Sequence, residues 1–274
     1  MCRKVFRPPN YVSYLEETMK MSRLFLAGLL AISLGAAPAW AMEHTFGLGA
    51  GFAPDYEGSE DSQGVPMLML KGSYDSGRSF TLMGPNLRVN VVPSKLYSFG
   101  PVLNYRMERG DVDNNRVDAM KNIDSAFEAG IFGGIDMSNW LLGAELLADV
   151  SNEHDGLLAK LSAGYRWKAA ADLTVTPRVF TTFADDDYMD TYFGINSGNR
   201  GSSGLPDFKA DSGLKDAGFN LVVNYTPWEN WGIMGVLSYS ALLNDAKDSP
   251  IVDDEGNDKQ MSFGLMGTYR WGSK

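Results

Sequence analysis

The chain has 274 residues, with 24 basic and 34 acidic side chains and a formal net charge of −10. This acidic balance argues against a nucleic-acid-binding protein, which needs basic side chains to neutralise phosphates. The content of 44% hydrophobic and 12% aromatic residues excludes a disordered chain. Glycine is abundant, at 30 residues, and in the absence of a collagen period this indicates many turns and strands. The single cysteine, Cys2, excludes a disulfide framework and a cysteine-based metal site.

The start of the chain has the pattern of a targeting segment. A short basic stretch at Met19–Arg23 precedes an uncharged apolar run at Leu24–Ala37, and Ala39–Ala41 fits the small-x-small cleavage rule. We predict that residues 1–41 are an N-terminal extension and a secretory signal peptide, with cleavage after Ala41. The alternative is a transmembrane anchor, but so short a run does not span a bilayer comfortably.

Residues 42–274 are predicted to form one β domain, because their apolar side chains recur at every second position. Trp140, Leu142 and Ala144, for example, alternate with smaller or polar neighbours. The expected strands cover 44–53, 64–74, 79–92, 96–108, 125–137, 140–150, 157–168, 172–183, 215–225, 231–242 and 260–271. The stretch 184–214 has room for a twelfth strand around Tyr188–Ile195. We predict twelve strands, with ten as the alternative, because single-chain bacterial barrels have even strand counts.

The length of these segments favours a membrane barrel. They run for about 10–12 residues, which is the length of a tilted strand that crosses a bilayer. Aromatic residues stand at several segment ends, as in Thr268–Trp271 near the C-terminus, where interfacial girdles belong. The alternative is a soluble β-sandwich or lipocalin-like barrel, whose apolar face would point inward. We predict an all-β fold, a transmembrane antiparallel up-and-down β-barrel in the bacterial outer membrane.

The polar face of the predicted strands carries charges of both signs. We expect these side chains to point into the lumen and to pair across it, since an unpaired charge in a low-dielectric interior is costly. The predicted network consists of Arg88, Arg106, Glu108, Glu128, Asp136, Glu145, Asp149, Lys160, Arg166, Arg178 and Arg270. We therefore predict a lumen that side chains largely close.

Few residues could support catalysis or metal binding. His44 lies on the apolar face of the first strand, and His154-Asp155 lies in a turn that could in principle form a His/Asp base but is expected to be a polar turn. A loop beginning at Asp111 resembles a calcium loop only at its start. Acidic loops at 185–190 and 253–258 could hold divalent cations that bridge lipopolysaccharide phosphates, although a solvated turn is the simpler interpretation. We predict no enzyme, no cofactor and no metal site.

Six segments, in order along the chain, resemble the MipA/OmpV family of outer-membrane proteins, also called MltA-interacting proteins. They are Gly49–Ser59 after the first strand, Gly100–Arg106, Phe127–Phe132, Tyr192–Ile195, Asp248–Val252 and the closing Tyr269–Trp271. The likeness spans the whole of 42–274. It departs from the family at the end, where Trp271 and a three-residue tail stand in place of a terminal Tyr-Arg-Phe.

The resemblance implies an outer-membrane barrel that acts as a scaffold. The named member of the family looks like a protein that brings a murein-degrading lytic transglycosylase together with a penicillin-binding synthase. The expected partners are thus outer-membrane lipid and lipopolysaccharide, a periplasmic murein transglycosylase and a penicillin-binding protein, and no nucleic acid. A narrow channel and a surface adhesin remain as alternatives.

One segment is a candidate contact for such a partner. If the N-terminus lies in the periplasm and 79–92 is a single strand, residues 109–124 fall on the periplasmic side. Apolar residues stand there at every third position, at Val117, Met120 and Ile123. This spacing permits a short amphipathic helical turn with an apolar edge. The alternative is a turn that lies over the barrel mouth. The weaker candidates for the contact are 74–78 and 184–187.

Overall fold

Residues 42–272 form an antiparallel β-barrel in the computed structural model, which describes this part of the chain. The predicted signal peptide and the extension before it lie outside the described residues. The strands are β1 (Met42–Pro54), β2 (Ser62–Tyr74), β3 (Ser79–Met83), β4 (Asn86–Asn90), β5 (Tyr97–Arg106), β6 (Ala126–Met137), β7 (Trp140–Asp149), β8 (Leu157–Tyr165), β9 (Trp167–Lys168), β10 (Leu173–Ala184), β11 (Gly213–Tyr225), β12 (Trp231–Leu242) and β13 (Lys259–Gly272). Consecutive strands pair with each other, except that β8 and β9 both pair with β10, and β1 pairs with β13 to close the sheet.

The barrel has twelve strands, as predicted. β8 and β9 are two pieces of one strand, because both pair with β10 and only Arg166 separates them. Closure leaves no unpaired sheet edge, which is what a hydrocarbon environment requires of a spanning sheet. No helix within 42–272 is long and apolar enough to cross a membrane.

The position predicted for the twelfth strand was wrong. Residues 79–92 were expected to be one strand, but they form the hairpin β3–β4, with Ser79 opposite Asn90. The chain reverses at Gly84, whose φ of +54° lies in the left-handed region that glycine tolerates, and Pro85 follows. Conversely, the segment Tyr188–Ile195 is not a strand, because most of it belongs to a helix described below.

The two faces of the wall differ as the alternation indicates. Large apolar side chains on the outer face are exposed, which is what a lipid-facing surface requires. They include Phe46, Leu48, Phe52, Phe99, Leu103, Ile131, Leu146, Leu161, Val179, Phe219, Phe263 and Leu265. The inner face is polar over β5–β11, whereas glycines of β1 leave room there for methionines. A Cβ at Gly47, for instance, would lie 2.9 Å from the sulfur of Met266.

The two ends of the barrel are unequal. One end, here called the short-turn end, carries both ends of the described chain and the connections 75–78, 91–96, 138–139, 169–172 and 226–230. The other, the long-loop end, carries longer connections with five short helices. These helices are α1 (Asn115–Asp118), α2 (Asp186–Phe193), α3 (Ser197–Ser203), α4 (Asn244–Asp248) and α5 (Pro250–Asp253).

The long loops fold inward and form a plug with its own hydrophobic core. Buried side chains of α2, α4 and α5 pack with inward side chains of the wall, and a second buried cluster joins them. The wall contributes Val102, Leu147, Leu158 and Leu242 to this core. The main buried core of the protein therefore lies inside one barrel mouth.

Candidate functional site

Helix α2 is the centre of the plug. Asp185 caps its N-terminus by accepting a hydrogen bond from the backbone of Tyr188, and Asp186 and Asp187 lie in its first turn, where acidic side chains stabilise a helix. Tyr188 and Phe193 are fully buried. The C-terminal end is held by the Ser249 hydroxyl, which donates to the carbonyl of Phe193 at 2.6 Å. The acidic run that was considered for cation binding instead starts a helix.

Beneath α2, one arginine of the wall joins two carboxylates. The Arg106 guanidinium lies 2.7 Å from Glu128 on the neighbouring strand and 3.5 Å from Glu57 in the loop after β1. Its Cζ also lies 4.9 Å from the centre of the Tyr188 ring, which is a cation–π geometry. Glu128 accepts a further hydrogen bond from Asn104 at 2.7 Å and is 1% exposed. Arg106 thus fastens a plug loop and helix α2 to the wall.

A second cation, on strand β11, fastens the same loop. The Lys215 ammonium lies 2.9 Å from Glu57 and 2.6 Å from Asp216. The Tyr188 hydroxyl donates to the other oxygen of Glu57 at 2.7 Å. Both carboxylate oxygens of Glu57 therefore have partners, and the plug and the wall share one connected network of charges.

The position of Glu57 between two cations changes its acidity. Burial alone would raise the pKa of this carboxyl, but the Lys215 ammonium and the Arg106 guanidinium outweigh burial and lower the pKa from 4.5 to about 2. The contribution of Glu57 to stability is therefore present above pH 4.5 and is lost as the pH falls toward 2. Burial raises the pKa of the Tyr188 phenol well above its usual range, so its hydroxyl remains a donor.

His154 belongs to this network and does not form a base with Asp155. Its side chain is fully buried against the rings of Tyr188 and Tyr192. Nδ1 accepts a hydrogen bond from the backbone of Gly156, so the proton of the neutral ring lies on Nε2, which is 3.2 Å from Glu128. This histidine packs the plug against the wall.

The structure brings together several predicted lumen residues. Arg88 lies 2.6 Å from Glu145, Arg166 lies 2.7 Å from Asp136, and Arg270 lies 3.9 Å from Glu43. The Lys160 ammonium lies 4.3 Å from the centre of the Phe180 ring. Neither Lys160 nor Arg178 has a carboxylate within 4.0 Å in the described part of the chain.

Two members of the predicted network, Asp149 and Glu108, lie at the long-loop end of their strands. Asp149 accepts hydrogen bonds from the backbones of Ser151, Glu153, His154 and Asp155 and so organises its loop. Glu108 is exposed beyond the end of β5.

The predicted partner-contact segment lies in the plug, which corrects two expectations. Val117, Met120 and Ile123 are 3%, 4% and 8% exposed, so they do not offer an apolar edge to another protein. The segment also lies at the long-loop end, since the hairpin β3–β4 adds one crossing to the predicted count. There the Asn114 side chain donates to the carbonyl of Glu255 at 3.1 Å. The alternative interpretation, a turn over the barrel mouth, describes this segment.

Four network residues were missed by the sequence analysis: Glu57, Tyr188, Lys215 and Asp216. Glu57 stands in a loop, and Tyr188 was assigned to a strand. A register shift in the β10–β11 pairing after Thr182 hides the inward direction of Lys215, because it interrupts the alternation there. Asp216 stays in register opposite Thr182, so the alternation was a signal for it. For Glu57, the available signal was the motif Gly49–Ser59, which contains it.

Below the plug, the lumen retains a cavity of about 480 Å³. Its charged lining consists of Glu57, Arg88, Arg106, Glu145, Lys160, Lys215 and Asp216. Apolar lining comes from Met83, Leu147, Leu158 and Phe180. In the described part of the chain, no group of three or more His, Cys, Asp or Glu side chains is arranged to hold a metal ion.

Comparison with known proteins relates this architecture to one family. The family model described as MltA-interacting protein MipA matches residues 46–271. The MltA-interacting protein of Escherichia coli K12 is 25% identical over 241 residues, which cover 85% of this chain and 93% of that protein. YiaT of Escherichia coli O157:H7, named as a predicted outer membrane protein, is 25% identical over 79% of this chain and 87% of its own length.

A solved structure with a similar fold is an outer membrane channel from Pseudomonas putida F1. It is 10% identical, with a TM-score of 0.44 and coverage of 86% of this chain and 97% of that one.

Proposed function

Since this chain belongs to the MipA family and is an outer-membrane β-barrel, we propose that it is a non-enzymatic scaffold that binds a murein transglycosylase on the periplasmic side. A penicillin-binding synthase is the proposed second partner. The plug is the observation that carries the proposal, because charges and packed side chains fill one mouth of the barrel where a transport path would run. The partner is suggested by the name of the relatives, MltA-interacting protein.

The complete burial of His154 supports a non-enzymatic role. A general base must reach a proton on its substrate within hydrogen-bond distance. The His154 ring is instead enclosed by Glu128, Tyr188 and Tyr192.

The short-turn end is the proposed docking face. A secretory leader before residue 42 would leave the N-terminus of the barrel in the periplasm, and the even strand count puts both ends of the described chain at this end. Its turn 75–78 makes up most of the weaker sequence candidate 74–78, whereas 184–187 lies at the long-loop end. Trp228 in the turn 226–230 is 56% exposed and could supply an aromatic contact of the kind that dominates binding energies.

Site-specific crosslinking tests the partner and the face together. The only cysteine of the chain is Cys2, so Ser76→Cys and Gly201→Cys each place one thiol in the barrel domain. Ser76 is exposed at the short-turn end, and a Cβ at Gly201 in α3 meets open space at the long-loop end. With a thiol-linked photocrosslinker in intact envelopes, we expect Ser76→Cys to capture a murein transglycosylase, identified by mass spectrometry, and Gly201→Cys to capture none. Capture at Gly201→Cys alone, or at neither position, would contradict the proposal.

A narrow channel is the second candidate function. The cavity of about 480 Å³ below the plug is the observation that favours it. A channel would require the plug to move aside, and the conductance measurement described in the Discussion separates the two functions.

A further inference from the structure

The cavity in the lumen combines a charged row with an apolar surface. On adjacent strands, Glu145 lies opposite Lys160, Lys160 opposite Thr182, and Thr182 opposite Asp216. These four side chains therefore form a row along the inner wall. All four line the cavity, together with Leu147, Leu158 and Phe180. A ligand in the cavity would therefore meet charges of both signs beside apolar groups.

The cavity offers free hydrogen-bond donors. The Lys160 ammonium has no carboxylate within 4.0 Å among residues 42–272 and contacts only the face of Phe180 as a cation. Arg88 pairs with Glu145 through Nη2, while its buried Nε has no hydrogen-bond partner in the described chain. A buried donor normally has a partner, so the Arg88 Nε, together with the half-buried Lys160 ammonium, is available for an anionic group.

The cavity also offers a free acceptor. Asp216 is 6% exposed, and its Oδ2 accepts from Lys215 at 2.6 Å. Its Oδ1 is buried without a hydrogen-bond partner in the described chain. Such an oxygen loses the solvation it has in water and gains nothing in return, so it is suited to a cationic donor.

We propose that this cavity binds a small zwitterion of the amino-acid or short-peptide type. Lys160 and Arg88 would hold its carboxylate, Asp216 would accept from its ammonium group, and Leu147, Leu158 and Phe180 would contact its apolar part. The cavity volume lies within the range of roughly 300–1,000 Å³ that is usual for small-molecule sites. This proposal is independent of the scaffold function, because the docking face lies outside the lumen.

A ligand would enter from the short-turn end. The plug fills the opposite mouth, whereas one side of the next inward row toward the short turns, before Phe180, consists of small residues. That row contains Ser98, Gly134, Gly143 and Ser162. A ligand would pass these short side chains on its way from the short-turn end to the cavity.

Three matched probes test the charge requirement. The dipeptide L-alanyl-L-leucine is a zwitterion, its N-acetyl form lacks the ammonium group, and its C-terminal amide lacks the carboxylate. We expect isothermal titration calorimetry of the folded barrel in detergent to detect the dipeptide and to show at least tenfold weaker binding of each blocked form. Absence of dipeptide binding, or equal binding of all three probes, would overturn the proposal.

Substitutions in the cavity assign each contact. Lys160→Met should weaken binding of the dipeptide at least tenfold and leave binding of the C-terminal amide unchanged. Asp216→Asn should weaken binding of the dipeptide to the same extent and leave binding of the N-acetyl form unchanged. Lys209→Met is the control, since Lys209 pairs with Asp211 on the exposed surface, away from the cavity lining. Heat-dependent gel mobility checks that each variant folds. If Asp216→Asn fails to fold, Lys160→Met suffices, and unchanged dipeptide affinity in that variant contradicts the proposal.

Discussion

Replacing Arg106 with methionine is expected to destabilise the protein by about 3–5 kcal/mol. The substitution leaves Glu128, which is 1% exposed, without its guanidinium partner and removes one of the two cations beside Glu57. A buried carboxylate that loses its partner keeps the cost of desolvation and loses the compensating attraction. The free energy of unfolding, measured by urea titration in lipid vesicles, checks this expectation.

An exposed arginine provides the matched control for this experiment. Arg200 pairs with Asp207, and both side chains are more than half exposed, so Arg200→Met should cost less than about 1 kcal/mol. Adding Glu128→Gln to Arg106→Met should recover part of the lost stability, because it removes the uncompensated charge. Equal effects of the two arginine substitutions would contradict a buried network that fastens the plug.

Replacing Phe193 with alanine is expected to loosen the plug by about 3–5 kcal/mol, the usual cost of removing a buried phenylalanine ring. Phe193 is fully buried at the end of α2 and belongs to the core between the plug and the wall. Phe193 belongs to no strand of the barrel, so the substitution should leave the wall folded. Limited proteolysis should therefore cleave the long connection 185–212 faster in the variant.

Lys209→Ala is the control for the plug experiment, because Lys209 is exposed in the same connection. It should leave the cleavage rate unchanged. The heat-dependent gel mobility of Phe193→Ala should stay that of a folded barrel. If Phe193→Ala is cleaved no faster than the control, α2 does not hold the plug in place.

Much of the fold could be predicted because a membrane barrel repeats one rule along the chain. Every second side chain faces lipid, so the alternation itself marks the strands and their faces. The rule failed where the chain departs from a regular strand. Gly84-Pro85 turns 79–92 into a hairpin, and the capping residue Asp185 with its acidic neighbours starts a helix where a strand was expected.

The candidate site could be predicted only where it lies on the wall. Pairs such as Arg166 and Asp136 share the inner face of nearby strands, so alternation is sufficient to expect them. Glu57 and Lys215 are separated by 158 positions and meet through a loop and a register shift, for which the local sequence has no periodic signal. Val117, Met120 and Ile123 are all buried, but only Val117 lies in helix α1, and their spacing carries no signal for the surface that covers them.

Single-channel recording in planar bilayers tests the central claim, a plugged barrel that acts as a scaffold, most directly. We expect the unmodified protein to insert without stable, large openings, because the plug and the ion pairs of the lumen block the path. Phe193→Ala, whose plug is loosened, should show openings under the same conditions. These openings serve as the positive control that inserted barrels are detected. Stable, large single-channel conductance of the unmodified protein would contradict the scaffold and favour a channel.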